Sequence, residues 1–350
     1  MNEAANHFRL ALQTRPHYAH AGYNLASVLR SQGRFDEAIE QFQQILRARP
    51  DYVYAYCGLG ITFQTVGRLD EAAGCYRQAL AIDPNYAEAH ANLGDVLSGQ
   101  GNAAEAIEHY RRSLQADPNY AQAHCNLGVA LSAQGELQEA AEHFRQALRA
   151  DPYHAEAHNN LGSLLLAFGQ SDEAINHFRQ ALQTDSGENR AQRANARRQY
   201  GVRLGAAVNR YSRNLRPAPD YARIHHNLGR SLVRAGDLAE ALEHFQKAAD
   251  LKPDWPTALN DAAKISATHP DPNVRNADEA IRFAERAAEL TKHQSIPVLD
   301  TLALAYAAAG RFDRAVTTIE TAVTLASAAQ AETQIAYLRK KLELYKQAKF

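Results

Sequence analysis

Apolar and polar positions along this chain repeat with a period of 34 residues. The stretch "AEAHANLGDVLSGQGNAAEAIEHYRRSLQADPNY" (87–120) is followed by "AQAHCNLGVALSAQGELQEAAEHFRQALRADPYH" (121–154), which is nearly the same text. Prolines mark the period at 16, 50, 84, 118 and 152 and resume it at 219 and 253. Proline lacks an N–H and disfavours helix in the residue before it, so each is expected to end one helix and open the next. Between prolines lie two apolar stretches of helical period, divided by Gly33, Gly67, Gly101, Gly135, Gly169, Gly236 or Gly310. Each unit is therefore predicted to be a helix A, a glycine turn and a helix B. Small residues recur where backbones must approach: Gly60, Gly94, Gly128, Gly162 and Gly229 in helix A, and Ala38, Ala72, Ala106, Ala140, Ala174 and Ala241 in helix B. Large residues fill the gaps between, notably the ring series Phe42, Tyr76, Tyr110, Phe144, Phe178 and Phe245. One such unit cannot bury its apolar face alone, so neighbours must stack.

This pattern resembles the tetratricopeptide repeat family. In the third repeat the matching residues are Leu93, Gly94, Leu97, Ala106, Tyr110 and Pro118; the family's large aromatic near the start of helix A is replaced by His90. The resemblance covers nearly the whole chain. It implies an all-α fold, a right-handed superhelical solenoid of tandem helix-turn-helix repeats, whose concave groove is lined by helix A.

Residues 1–18 match a helix B with no helix A before it, and suggest a fragment of a longer protein. Five regular repeats fill 19–188, and a sixth fills 222–255. Residues 256–328 read as two divergent repeats, the first with an expanded turn at "THPDPNVRNADEA" (268–280), and 329–350 as a capping helix. The stretch 189–221 reads as a degenerate, Arg-rich repeat. Around it, residues 186–218 hold eight Arg and one Glu, a net +7 in a chain whose total is −1. A basic partner patch, drift of a repeat, and a compensated frameshift all fit that text.

Composition narrows the functional classes. The content, 45% hydrophobic and 22% charged, is that of a foldable soluble chain, and a net charge of −1 gives no argument for nucleic acid or membrane. No apolar run reaches the roughly 18 residues that span a bilayer, and the N-terminus shows no signal peptide. Cys57, Cys75 and Cys125 make no disulfide framework, which fits a reducing, cytoplasmic compartment. Of fifteen histidines, His90, His124, His158 and His225 share one repeat position and His7, His109, His143, His177 and His244 another, each a full repeat from its nearest equivalent, so they are expected to be structural and not to share a metal. No phosphate loop, HExxH or nucleophile elbow is present, so no catalysis and no cofactor are expected.

The candidate site lies on helix A. Asn24, Asn92, Asn126, Asn160 and Asn227 share one repeat position, six residues in, where the second repeat has Gly58. Asparagine is a poor helix-interior residue, because its amide competes for backbone hydrogen bonds. A row of carboxamides can hold the backbone of an extended peptide, with two donors and an acceptor each. The row resembles the asparagine ladder in the repeat region of O-linked N-acetylglucosamine transferases. Its alternative is inheritance by duplication, with each Asn capping or bridging neighbouring helices. Asp95 is expected to make the early groove acidic, and Arg223, Arg230 and Arg234 the late groove basic, suited to carboxylates. The leading expectation is a non-catalytic scaffold for a protein or peptide partner. The alternative is a homo-oligomer stacked end to end through its terminal half repeats into filaments. The C-terminal block looks like the end of long bacterial repeat proteins.

Overall fold

The computed structural model describes residues 2–15, 18–183 and 220–348. Eighteen α-helices run through them, with no strand among the described residues. A single helix, α1 (Asn2–Thr14), comes first. Helical hairpins follow: α2 (Ala19–Ser31) with α3 (Phe35–Ala48), α4 (Val53–Thr65) with α5 (Leu69–Ile82), α6 (Ala87–Gly99) with α7 (Ala103–Ala116), and α8 (Ala121–Ala133) with α9 (Leu137–Ala150). Next come α10 (Ala155–Ala167) and α11 (Ser171–Gln183), then α12 (Tyr221–Ala235) with α13 (Leu238–Leu251). The chain continues with α14 (Pro256–Thr268), α15 (Ala277–Leu290), α16 (Ile296–Ala308), α17 (Phe312–Ala328) and α18 (Glu332–Ala348). From α2 to α8, each helix A packs on its own helix B and on the helix B before it.

The turns explain the punctuation. At the α6–α7 turn, Gly101 takes φ 83°, a left-handed conformation that side chains resist. It lets the Asn102 N–H reach back to the Leu97 carbonyl at 2.9 Å, closing the helix end. The prolines do less than the text suggests. Pro50, Pro84, Pro118 and Pro152 sit in the link, two residues past helix B, and helix A starts three residues later. They end helices without opening them; among the described residues only Pro256 and Pro297 stand in a first helical turn. The aspartate before the proline organises the link, as Asp83 accepts from the Asn85 N–H and Asp117 from the Asn119 N–H, both at 3.0 Å. The expanded turn spans 269–276 and ends on Asn276, whose side chain accepts from the Glu279 N–H.

Packing follows the small-against-large pattern. A Cβ on Gly60 would lie 2.6 Å from the Tyr76 ring, one on Gly94 2.6 Å from Tyr110, and one on Gly128 2.7 Å from Phe144. Each of these rings is buried. Glycine here is a requirement of close approach, since the ring occupies the volume a methyl would need.

The described residues form two compact units, one holding the chain to Leu161 with Gln183 and the other Gly162–Leu182 and the chain from Pro219. Within the second unit, α11 and the end of α10 meet α12 and α13 directly. Arg179 donates to both Glu240 carboxylate oxygens at 2.8 and 2.9 Å, and Asn227 Nδ2 to Ser163 Oγ at 3.3 Å. The pair Asn227–Ser163 is 64 residues apart, where the same positions in consecutive repeats, Asn126 and Asp95, are 31 apart. The Arg-rich repeat read at 189–221 lies, but for its last two residues, outside the described residues.

Candidate functional site

The A helices place the carboxamides at one register position. Asn24, Asn92, Asn126, Asn160 and Asn227 are all half-buried. Their partners differ, and the sequence says why. Asn126 Nδ2 donates to the Asp95 carboxylate, nine residues into the previous repeat, while its own Oδ1 accepts from Gln122 Nε2 at 2.6 Å. Asp95 also accepts from the Tyr110 hydroxyl at 2.9 Å. Asn227 makes the equivalent bond to Ser163. For Asn92 the equivalent residue is Ile61, which has nothing to accept with, and Asn92 Nδ2 is buried without a hydrogen-bond partner among the described residues. For Asn160 it is Val129; Asn160 instead accepts from Asn159 at 3.3 Å and approaches Cys125 Sγ at 4.0 Å. No hydrogen bond is recorded for the Asn24 carboxamide among the described residues. Gly58 interrupts the row for a steric reason, since a Cβ there would sit 2.5 Å from the Phe42 ring.

The arginines divide. Arg234 donates to the Leu166 carbonyl, so its guanidinium belongs to the joint between helices. Arg223 and Arg230 are exposed on α12. The Arg223 main-chain N–H is capped by Asp220 at 3.0 Å, which anchors the helix start and leaves its side chain outward.

Three features escaped the sequence reading. Arg30 is 1% exposed; its Nη1 donates to the Gly58 carbonyl at 3.1 Å, while Nε and Nη2 have no partner among the described residues. Burial pulls its pKa below the usual guanidinium value. A strip of rings runs along the A-helix starts, Tyr18–His20–Tyr52–Tyr54–Tyr86, meeting edge to face at 5.6–6.0 Å. Tyr52 hydroxyl and His20 Nδ1 are 2.7 Å apart, and burial pushes the Tyr52 phenol up to about 12. The signal was a tyrosine recurring just before helix A, at 18, 52, 86 and 120. Lastly, the two histidine series meet. Nδ1 of His90 and His109 are 2.9 Å apart, of His124 and His143 3.0 Å, and of His225 and His244 2.8 Å. A spacing of 19 residues crosses the hairpin, which a search for one-turn spacing does not detect. His90 Nε2 donates to the Pro84 carbonyl at 2.9 Å, so its Nδ1 is the acceptor and His109 Nδ1 the donor. Burial lowers the pKa of all six imidazoles below the usual value, His225 to about 4. No group of three or more His, Cys, Asp or Glu that could hold a metal occurs among the described residues.

Cys57, Cys75 and Cys125 are free thiols, and burial pushes Cys57 well above the usual thiol range. No described helix is long and apolar enough to cross a membrane.

Repeated hairpins, turn glycines and ring-against-glycine packing define a helical-repeat scaffold. Sequence models described as tetratricopeptide repeat match residues 17–85, 85–152, 125–189, 222–255 and 298–321. The chain belongs to the tetratricopeptide repeat family, whose members serve as protein-interaction scaffolds. No curated protein matches it. Among solved structures, the Cut9–Hcn1 hetero-tetramer of APC/C is similar at 15% identity and TM-score 0.61, over 86% of this chain and 52% of that one. PilF of Pseudomonas aeruginosa is similar at 21% identity and TM-score 0.55, over 73% and 97%. MamA shares 27% identity over 48% of this chain and 97% of its own, at TM-score 0.40. The first two are likenesses of fold.

Proposed function

We propose that the chain is a non-catalytic scaffold that holds an extended peptide or a protein segment along the face of its A helices. The observation that carries this reading is the register of half-buried carboxamides at Asn24, Asn92, Asn126, Asn160 and Asn227. A carboxamide has two N–H groups, and Asn126 and Asn227 spend one each on the neighbouring repeat. The second N–H of Asn126 and the half-buried Asn24 carboxamide can serve a peptide backbone without reading its sequence. In the first unit the ring strip from Tyr18 to Tyr86 offers apolar contact at the starts of the A helices, and in the second unit exposed Arg223 and Arg230 suit acidic side chains. Free thiols support a reducing compartment. The test is peptide capture by the purified chain with Asn92, Asn126 and Asn160 changed to Ala. Weakened capture with retained helicity supports the reading; equal capture sinks it.

A second reading has its own support. The first and last described helices carry exposed apolar side chains: Leu10 at 60%, Tyr337 at 53% and Leu344 at 55%. Such residues suit end-to-end pairing of copies. Light scattering over a concentration series tests it; a mass equal to one chain at every concentration rejects it.

A further inference from the structure

A cavity of about 760 Å³ opens between α5, the link at 83–86, α6 and α7. Its charged and titratable lining is Arg77, Arg112, His90 and His109, with no carboxylate. We propose that it is a docking pocket for a carboxylate side chain of an acidic peptide. The same joint elsewhere in this chain holds such a carboxylate. One repeat on, the equivalents of Arg77, Glu105 and His109 are Arg111, Glu139 and His143. There Glu139 Oε1 lies 3.9 Å from Arg111 Nη2 and 3.9 Å from His143 Nε2. In the second unit the equivalents are Arg179, Glu240 and His244. There Glu240 Oε1 lies 2.8 Å from Arg179 Nη2 and 3.6 Å from His244 Nε2. An arginine from one repeat and a histidine from the next thus flank a carboxylate at two joints.

At Arg77 and His109 that carboxylate is not in place. Among the described residues Arg77 has no ion pair, and Glu105 lies within 4.0 Å of neither Arg77 nor His109. The His109 ring can serve once it is protonated, since in the neutral ring its one proton sits on Nδ1. His90 Nε2 is fixed on Pro84 and its Nδ1 on His109 Nδ1, which leaves His109 Nε2 as the nitrogen with no recorded partner. Arg112 adds a second guanidinium, held at 2.9 Å from Glu108 on its own helix. Arginine meets a carboxylate in a forked, charge-assisted geometry, so acidic side chains are the chemistry this set selects. Other charges near the pair are Asp83, Glu105 and Glu108, none of them lining the cavity. Asn92 and the other helix-A carboxamides do not line it either, so this inference and the groove reading fail separately.

The experiment titrates the full chain with fluorescently labelled octaglutamate at low salt, with inorganic phosphate as a second arm. The expected result is saturable one-to-one binding, weakened about tenfold by Arg77→Ala and by Arg112→Ala. Arg179→Ala, whose guanidinium Glu240 already holds, leaves it unchanged, and Glu105→Gln leaves it equal or tighter. The His109 ring, followed by NMR, titrates at higher pH with peptide bound. No saturable binding overturns the proposal, as does equal weakening by Arg77→Ala and Arg179→Ala, which would signal general charge attraction. Phosphate binding at these residues without octaglutamate overturns the carboxylate assignment. Arg77 is exposed, so its variant folds, and circular dichroism checks this.

Discussion

At the scale of single residues, the chain is controlled by what stands opposite. Gly94 and Gly74 are both helical glycines, yet a Cβ on Gly94 strikes the Tyr110 ring at 2.6 Å while one on Gly74 meets nothing within 4 Å. Gly94→Ala is therefore expected to cost about 1–3 kcal/mol by overpacking. Gly74→Ala is expected to gain up to about 1 kcal/mol from helix propensity. Urea denaturation of both variants checks the contrast; equal effects would refute the ring-in-notch account. The asparagines divide likewise. Asn126→Ala breaks a bond to the Asp95 carboxylate and is expected to cost about 1–2 kcal/mol. Asn92→Ala, whose amide nitrogen has no hydrogen-bond partner among the described residues, should change stability by less than about 0.5 kcal/mol. The repeated asparagine position was legible in the sequence. Its partners in other repeats were not, because Asp95 lies 31 residues before Asn126 and Ser163 lies 64 before Asn227, and only a stacking register brings them together.

At the scale of elements, the helical hairpin was legible almost throughout, since proline, glycine and apolar period all punctuate the same boundaries. The histidine pairs were not, because they join the two helices of one hairpin across 19 residues. They have a consequence for acid stability. Burial holds the folded imidazoles below the unfolded value of about 6.5, so the unfolded chain binds more protons in the window beneath it. Stability is then full above pH 6.5 and falls as pH drops toward about 4, the value for His225. Urea midpoints from pH 8 to 4.5 measure this. The drop should shrink when His124 and His143 are both replaced by Asn, and an unchanged drop would remove the pairs from the account.

At the scale of the molecule, the second unit stacks directly where the text is interrupted. Arg179–Glu240 and Asn227–Ser163 pair the repeats on either side of residues 184–219 as consecutive repeats pair elsewhere. Each pair is wider in sequence by 33 residues than its counterpart. Joining Asp185 to Pro219 restores "TDPDYA", the same link text as "IDPNYA" at 82–87. A chain lacking residues 186–218 is therefore expected to keep its helicity and its melting temperature within a few degrees, which circular dichroism reads. Loss of cooperative melting would show that those residues are needed between the two repeats. Sequence alone kept this question open, because the phase across the stretch is nearly preserved whether or not a repeat stacks there. Extended-peptide binding on the helix-A face is tested by panning a random peptide library on the whole chain. Enriched peptides should bind the wild type and lose at least about tenfold on the Asn92, Asn126 and Asn160 triple alanine variant. Enriched peptides that bind both proteins equally would contradict it.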